Sequence, residues 1–130
     1  MSNPTRRQFL GTSAAAGLGL LTAKATAQAP AVSPNERVNV GLIGCGGIGK
    51  VDLETFFLNA EVDCPVVCDV DTRNFAKAVE LVEARRGHTP DTVTDFRRVL
   101  DRKDVDVVLV ATPDHWHALP MVLACQAGKD

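Results

Sequence analysis

The stretch Gly44-Cys45-Gly46-Gly47-Ile48-Gly49 constrains this chain more than any other, because of what stands on either side of it. Upstream, Arg37-Val38-Asn39-Val40-Gly41-Leu42-Ile43 is an apolar run of strand length. Downstream, a helix is predicted from near Gly47 to about Leu58. A strand that enters a glycine-rich turn and leaves it as a helix is the opening unit of a parallel α/β sheet. Gly44 permits the tight turn, Gly46 lets backbone N–H groups approach a phosphate, and Gly49 lets the new helix pack closely on the strand. The helix N-terminus adds partial positive charge, so all six residues, Cys45, Gly47 and Ile48 included, are candidate contacts to a dinucleotide pyrophosphate. Taken alone, the motif also fits a tight strand–helix turn with no ligand.

The remaining pattern extends the same architecture. Glu61 to Asp69 reads as a second strand through Val62, Val66, Val67 and Cys68, with Pro65 an awkward member because it has no N–H to donate. Asp71 or Thr72 can cap a second helix, in which Phe75, Ala78, Val79 and Val82 follow helical spacing and Gly87 serves as a left-handed C-cap. A short extended stretch, Thr92-Val93-Thr94, precedes a third helix capped by Thr94 or Asp95, with Phe96, Val99 and Leu100 inward. Val105 to Ala111 is nearly all apolar, as expected of a parallel strand covered on both faces. A last helix from about Ala118 is predicted to turn Ala118, Met121, Val122 and Cys125 inward and to stop at Gly128. Strands alternating with amphipathic helices imply right-handed βαβ units, hence a doubly wound parallel sheet of Rossmann type.

Two further segments carry chemistry. Asp69 lies 20 residues beyond Gly49, at the end of the second strand. There a carboxylate accepts hydrogen bonds from both hydroxyls of an adenosine ribose and repels a 2′-phosphate, favouring NAD over NADP. Arg73 stands close enough to soften that preference, and Asp71 is better read as a helix cap than as a second ribose ligand. Ala111-Thr112-Pro113-Asp114-His115-Trp116-His117 sits at the C-terminal end of a parallel strand, where open α/β sheets bind ligands. His115 and His117 with Asp114 could in principle ligate zinc, but no further Cys or His cluster completes such a site, so no metal is assigned. Asp114 can also cap the following helix.

Composition sets the outer limits. A net charge of −2 gives no electrostatic reason to expect nucleic-acid binding. Residues 1–29 read as a twin-arginine export signal: Arg6-Arg7 precedes Phe9-Leu10, an uncharged run follows from Gly11 to Ala23, and Ala27-Gln28-Ala29 offers a cleavage site. The apolar run falls short of the roughly 20 residues that span a bilayer, so no membrane span is expected after signal removal. Residues 30–36 are a Pro-punctuated linker, and residues 37–130 form the nucleotide-binding domain. The 4 cysteines fall in the glycine loop, the second strand and the last helix, which suits buried free thiols better than disulfides.

The strand–loop Val40 to Gly46, the strand end Val67-Cys68-Asp69-Val70-Asp71, and Ala111 to His117 followed by Ala127-Gly128-Lys129 together resemble the Gfo/Idh/MocA oxidoreductase family. The resemblance covers residues from about 37 to 130 and extends to exported members with twin-arginine signals. It implies a Rossmann domain followed by an α+β domain that holds the substrate and mediates oligomerisation. It also implies hydride transfer between nicotinamide and a carbon of a sugar, polyol or related compound. By the same resemblance Ala111, Thr112, Pro113 and Asp114 line the nicotinamide side, with His117 nearby. The family's Glu-Lys-Pro motif and its downstream Asp and His do not occur before Asp130. The expectation is therefore a domain incomplete at its C-terminus, with the substrate domain absent, no assignable catalytic group and no activity in this form. A dinucleotide-binding module without catalysis is the alternative. A methyltransferase using S-adenosylmethionine shares a glycine-rich first loop but leaves Thr112 to His117 unexplained.

Overall fold

The computed structural model describes residues 36–130; the expected export signal, and the expected linker up to residue 35, lie outside the described residues. Within them, eight elements follow in order: β1 (Val38–Ile43), α1 (Gly47–Phe56), β2 (Val62–Cys68), α2 (Phe75–Arg86), β3 (Asp91–Val93), α3 (Arg97–Leu100), β4 (Val107–Val110) and α4 (Ala118–Gln126). Single 3-10 turns stand at Thr72–Asn74 and Asp114–Trp116. The four described strands are all parallel, in the order β3-β2-β1-β4. This is the doubly wound α/β arrangement expected from the alternation of strands and helices.

Two apolar layers hold the helices to the sheet. Val40 and Leu42 of β1 meet Leu53, Phe57, Ala78 and Val82 on the face of α1 and α2. Ile43 joins Val99, Leu100, Val105 and Ala124 on the opposite face, that of α3 and α4. Leu42 and Leu53 are fully buried, and each such side chain stabilises the fold by about 2 kcal/mol relative to exposure.

Pro65 is accommodated by a bulge. Val38 and Asn39 pair with Val62 and Asp63, but Gly41 pairs with Val66, so β2 carries one extra residue between these points. The extra residue switches the side-chain alternation. Val62 and Cys64 join Val67 in the first layer, whereas Val66 and Cys68 belong to the second. A proline without an N–H thus sits inside a central strand at the place where the ladder is already interrupted.

Long polar side chains fasten the connections. Arg86 Nε donates to the Val62 carbonyl at 2.6 Å, and its Nη2 donates to those of Phe57 and Asn59 at 3.1 and 2.8 Å. The Lys129 ammonium donates to the carbonyls of Arg102 and Val105, at 2.5 and 2.8 Å. The lysine of Ala127-Gly128-Lys129 therefore ties the end of α4 to the loop that enters β4.

Three expectations are corrected. β4 is half-buried and shorter than Val105 to Ala111, because it lies at the edge of the described sheet and not between two strands. Its outer edge is met by Asp130, which donates to the Asp106 carbonyl and accepts from the Val108 N–H, in the pattern of a parallel ladder. α4 turns Pro120, Leu123 and Ala124 inward, while Met121 and Val122 are 53% and 54% exposed. The helix is apolar nearly all round, so its spacing does not select a face and packing decides. Cys125 is exposed in consequence; Cys45, Cys64 and Cys68 are the buried free thiols. Among the described residues no helix is long and apolar enough to cross a membrane.

Candidate functional site

The glycine loop is closed by steric necessity. Gly44 adopts φ +98°, and a Cβ there would lie 2.6 Å from the Ala111 carbonyl oxygen. The loop therefore runs directly against the end of β4. A Cβ on Gly49 would lie 1.9 Å from the Gly44 carbonyl oxygen, so α1 can begin where it does only with hydrogen at that position. Gly46 and Gly47 are different. A Cβ on either meets nothing within 4 Å, because their backbone faces open space. Gly46 is also the N-cap of α1 and offers no side-chain acceptor, which leaves the first-turn N–H groups of the helix for an anion.

Asp69, at the end of β2, binds this loop. Its Oδ2 accepts from the Cys45 N–H at 2.8 Å and from Asn74 Nδ2 at 3.1 Å, and its Oδ1 accepts from the Asp71 N–H at 2.8 Å. Three protein donors thus fix a carboxylate that has roughly four acceptor positions. Cys45 has a positioning role: its amide is committed to Asp69, and its thiol donates to the Cys68 carbonyl at 3.4 Å inside the core. Burial, and then the nearby Asp69 charge, push that thiol up to about 12. Asp71 is a cap, as its sequence position suggests, with Oδ1 accepting from the Arg73 N–H at 3.0 Å.

At the end of β4 the chain turns through Thr112 and Pro113 into the Asp114–Trp116 turn. His117 Nε2 lies 2.5 Å from the Thr112 carbonyl oxygen. A carbonyl only accepts, so Nε2 carries the proton and is engaged with the loop rather than open to a metal. Among the described residues no group of three or more His, Cys, Asp or Glu side chains is gathered as a metal site. The Thr112 hydroxyl oxygen is buried without a hydrogen-bond partner.

These segments line one cavity of about 990 Å³. Gly44, Gly46, Gly47, Ile48, Asp69, Ala111, Thr112, Pro113, Asp114 and His117 all contribute to its wall; Cys45 and Gly49 stand behind it. Sequence reasoning missed Asn74 and the stretch Thr94 to Arg97, which close the end beyond Asp69. There Arg97 Nη1 donates to Asp95 at 3.2 Å, and the guanidinium lies 5.2 Å from the centre of the Phe96 ring. The wall suits an extended dinucleotide: an open helix N-terminus in the middle, a fixed carboxylate towards one end, and an orphaned hydroxyl towards the other.

Comparison with known proteins gives the family. The family model Gfo/Idh/MocA, an oxidoreductase family with an NAD-binding Rossmann fold, matches residues 38–130. An alpha-N-acetylgalactosaminidase of Shewanella oneidensis is 31% identical over an alignment covering 99% of this chain and 33% of that protein. The chain thus spans about one third of the length of the curated relatives it matches. Among solved structures, GenD2 from gentamicin A biosynthesis, in complex with NAD, is 28% identical with a TM-score of 0.63 over 76% of this chain and 27% of that one. A putative myo-inositol dehydrogenase from Sinorhizobium meliloti 1021 is 30% identical with a TM-score of 0.59 over 71% of this chain and 26% of its own. The glycine loop, Asp69 and the Thr112–His117 turn all lie within residues 38–130, the span of the family match, and the chain belongs to the Gfo/Idh/MocA oxidoreductases, with their NAD-binding Rossmann fold.

Proposed function

We propose that this chain is the cofactor-binding part of an exported, NAD-preferring oxidoreductase that moves a hydride between nicotinamide and a carbon of a sugar or polyol. The carrying observation is the convergence of the Gly44–Gly49 loop, Asp69 and Thr112 to Asp114 on one cavity. The loop backbone and the α1 N-terminus would hold the pyrophosphate, Asp69 the adenosine ribose, and Thr112 to Asp114 the nicotinamide end. The bound nicotinamide supplies the hydride acceptor or donor. The protein's own residues orient and select. Asp69 keeps about one acceptor position for a ribose hydroxyl after its three protein donors, and its charge opposes a 2′-phosphate. The bond from His117 to the Thr112 carbonyl holds the turn that carries the free Thr112 hydroxyl.

Substrate class is supported by the similarity to the putative myo-inositol dehydrogenase of Sinorhizobium meliloti. A family-typical second domain would shape the substrate pocket and join protomers into an oligomer. Arg6-Arg7 ahead of Phe9-Leu10 supports twin-arginine export to the periplasm. Export of an already folded protein would carry the nucleotide across in place. The test of export is to isolate the periplasmic protein and look for bound nucleotide; an empty, unprocessed cytoplasmic protein contradicts it.

One observation favours a second reading. The alpha-N-acetylgalactosaminidase similarity points to glycoside cleavage without net redox. A nicotinamide held in the cavity would supply reversible oxidation of a sugar carbon. The neighbouring C–H, so acidified, would lose its proton as the aglycone leaves, water would add in the aglycone's place, and return of the hydride would leave no net redox change. Incubating the intact protein with NAD+ and either free polyols or aryl glycosides separates the readings. Accumulating reduced nicotinamide supports the dehydrogenase, and released phenol at catalytic NAD+ supports the glycosidase. Nucleotide binding with neither product leaves a non-catalytic module.

A further inference from the structure

We propose that Asp71 and Arg73 together set the preference between NAD and NADP, with Asp71 holding the Arg73 guanidinium away from an incoming 2′-phosphate. The proposal rests on the dinucleotide reading of the cavity and adds to it a second determinant beside Asp69. Asp69 is fixed by its three donors and cannot turn aside to admit a phosphate. Two residues on, Asp71 lines the same cavity. Its Oδ1 and Oδ2 accept from Arg73 Nε at 2.8 and 3.0 Å, and Oδ2 also accepts from Nη2 at 2.6 Å. The Nε–Nη2 edge, which would otherwise be open to grip a phosphate in bidentate fashion, is filled by a carboxylate of its own turn.

Among the described residues, Asp71 is the one ion-pair partner of this arginine. The Arg73 side chain is 88% exposed, so neutralising Asp71 releases the guanidinium to turn towards the ribose end of the cavity. An exposed pair of this kind is individually weak, which makes it a tunable discriminator rather than a fixed barrier. Arg97, also at this end, is engaged by Asp95 and the Phe96 ring, and those interactions are separate from Asp71. Asparagine at position 71 preserves the cap, because its side-chain oxygen accepts the Arg73 N–H as aspartate does, while removing the charge.

The test is calorimetric titration of the intact protein with NAD+ and with NADP+, in the wild type and in Asp71→Asn, Arg73→Ala and the double variant. The quantity read is the ratio of the two dissociation constants. Asp71→Asn is expected to shift the ratio towards NADP by about ten-fold, the scale of one additional charge-assisted hydrogen bond. Arg73→Ala added to it is expected to abolish that shift. An unshifted ratio in Asp71→Asn overturns the proposal. So does a shift that persists in the double variant, because Asp71 then acts through its own charge alone. Asp71→Ser, also a good cap, repeats the test should the asparagine variant unfold. Wild type that binds NAD+ with an unmoved ratio sinks only the Asp71–Arg73 element; wild type that binds neither nucleotide sinks the reading of the cavity as well.

Discussion

The Cys45 amide donates to Asp69 Oδ2 at 2.8 Å, joining the glycine loop after β1 to the end of β2 across 24 positions of sequence. One carboxylate therefore fixes the glycine loop, and in the proposed site the same group would receive the ribose. Replacing Asp69 with alanine removes the acceptor for three donors and, on the proposed reading, the ribose ligand with it. NAD+ affinity should fall about ten- to hundred-fold, the effect of losing one or two charge-assisted hydrogen bonds. A calorimetric titration in which the variant stays within about two-fold of wild type would remove Asp69 from the site.

Gly46 and Gly49 should fail in different ways. Gly49→Ala forces a methyl group against the Gly44 carbonyl, where a Cβ would lie at 1.9 Å, and should destabilise by about 1–3 kcal/mol. Gly46→Ala meets nothing within 4 Å, so its melting temperature should stay near wild type while nucleotide affinity drops. Equal losses of Tm in the two variants would contradict the division between packing and binding.

At the far end of β2, Asp63 is buried between Arg37, at 3.4 Å, and His88, at 2.7 Å. Burial alone would raise its carboxyl pKa; the hydrogen bonds from His88 and the Cys64 N–H, with the His88 and Arg37 charges, outweigh it and leave the pKa below the ordinary carboxylate value. A lowered folded-state pKa means that the stabilisation is present above the unfolded carboxyl pKa, near about 4, and is lost as pH falls through the folded one. Stability should therefore decline on acidification below about pH 4, and Asp63→Asn should flatten that decline. Chemical denaturation across the acid range reads it; parallel slopes in wild type and variant would exclude Asp63 as the cause.

The thiols differ in access. Burial pushes Cys45, Cys64 and Cys68 up to about 12, whereas Cys125 is exposed. At mildly alkaline pH a thiol reagent should modify Cys125 rapidly and the other three only on unfolding. Peptide mass spectrometry that finds Cys45 labelled as fast as Cys125 would contradict the closed loop.

How much of this is legible beforehand depends on the range of the interaction. The apolar run into Gly44, the cap at Asp71 and the left-handed Gly87 are local, and each is read from a few adjacent residues. The inward face of α4 is not, because an apolar helix carries no periodic contrast and packing against the sheet and α3 chooses Leu123 and Ala124 over Met121 and Val122. The use of the Cys45 amide is hidden for another reason: a backbone N–H leaves no trace in residue type. Asn74 and Thr94 to Arg97 reach the cavity only because parallel pairing brings the ends of β2 and β3 together. Their chemistry is ordinary until the sheet assembles them.

On the proposed reading, the Gly44–Gly49 loop, Asp69 and the Thr112–His117 turn form one nicotinamide dinucleotide site. Trp116 is the single tryptophan of the chain and lines that cavity, so its fluorescence reports occupancy directly. Titration with NAD+ should change the signal saturably, at one nucleotide per chain, and the change should be lost in Asp69→Ala. A flat response to NAD+ and NADH at millimolar concentration, with calorimetry equally silent, would contradict the claim.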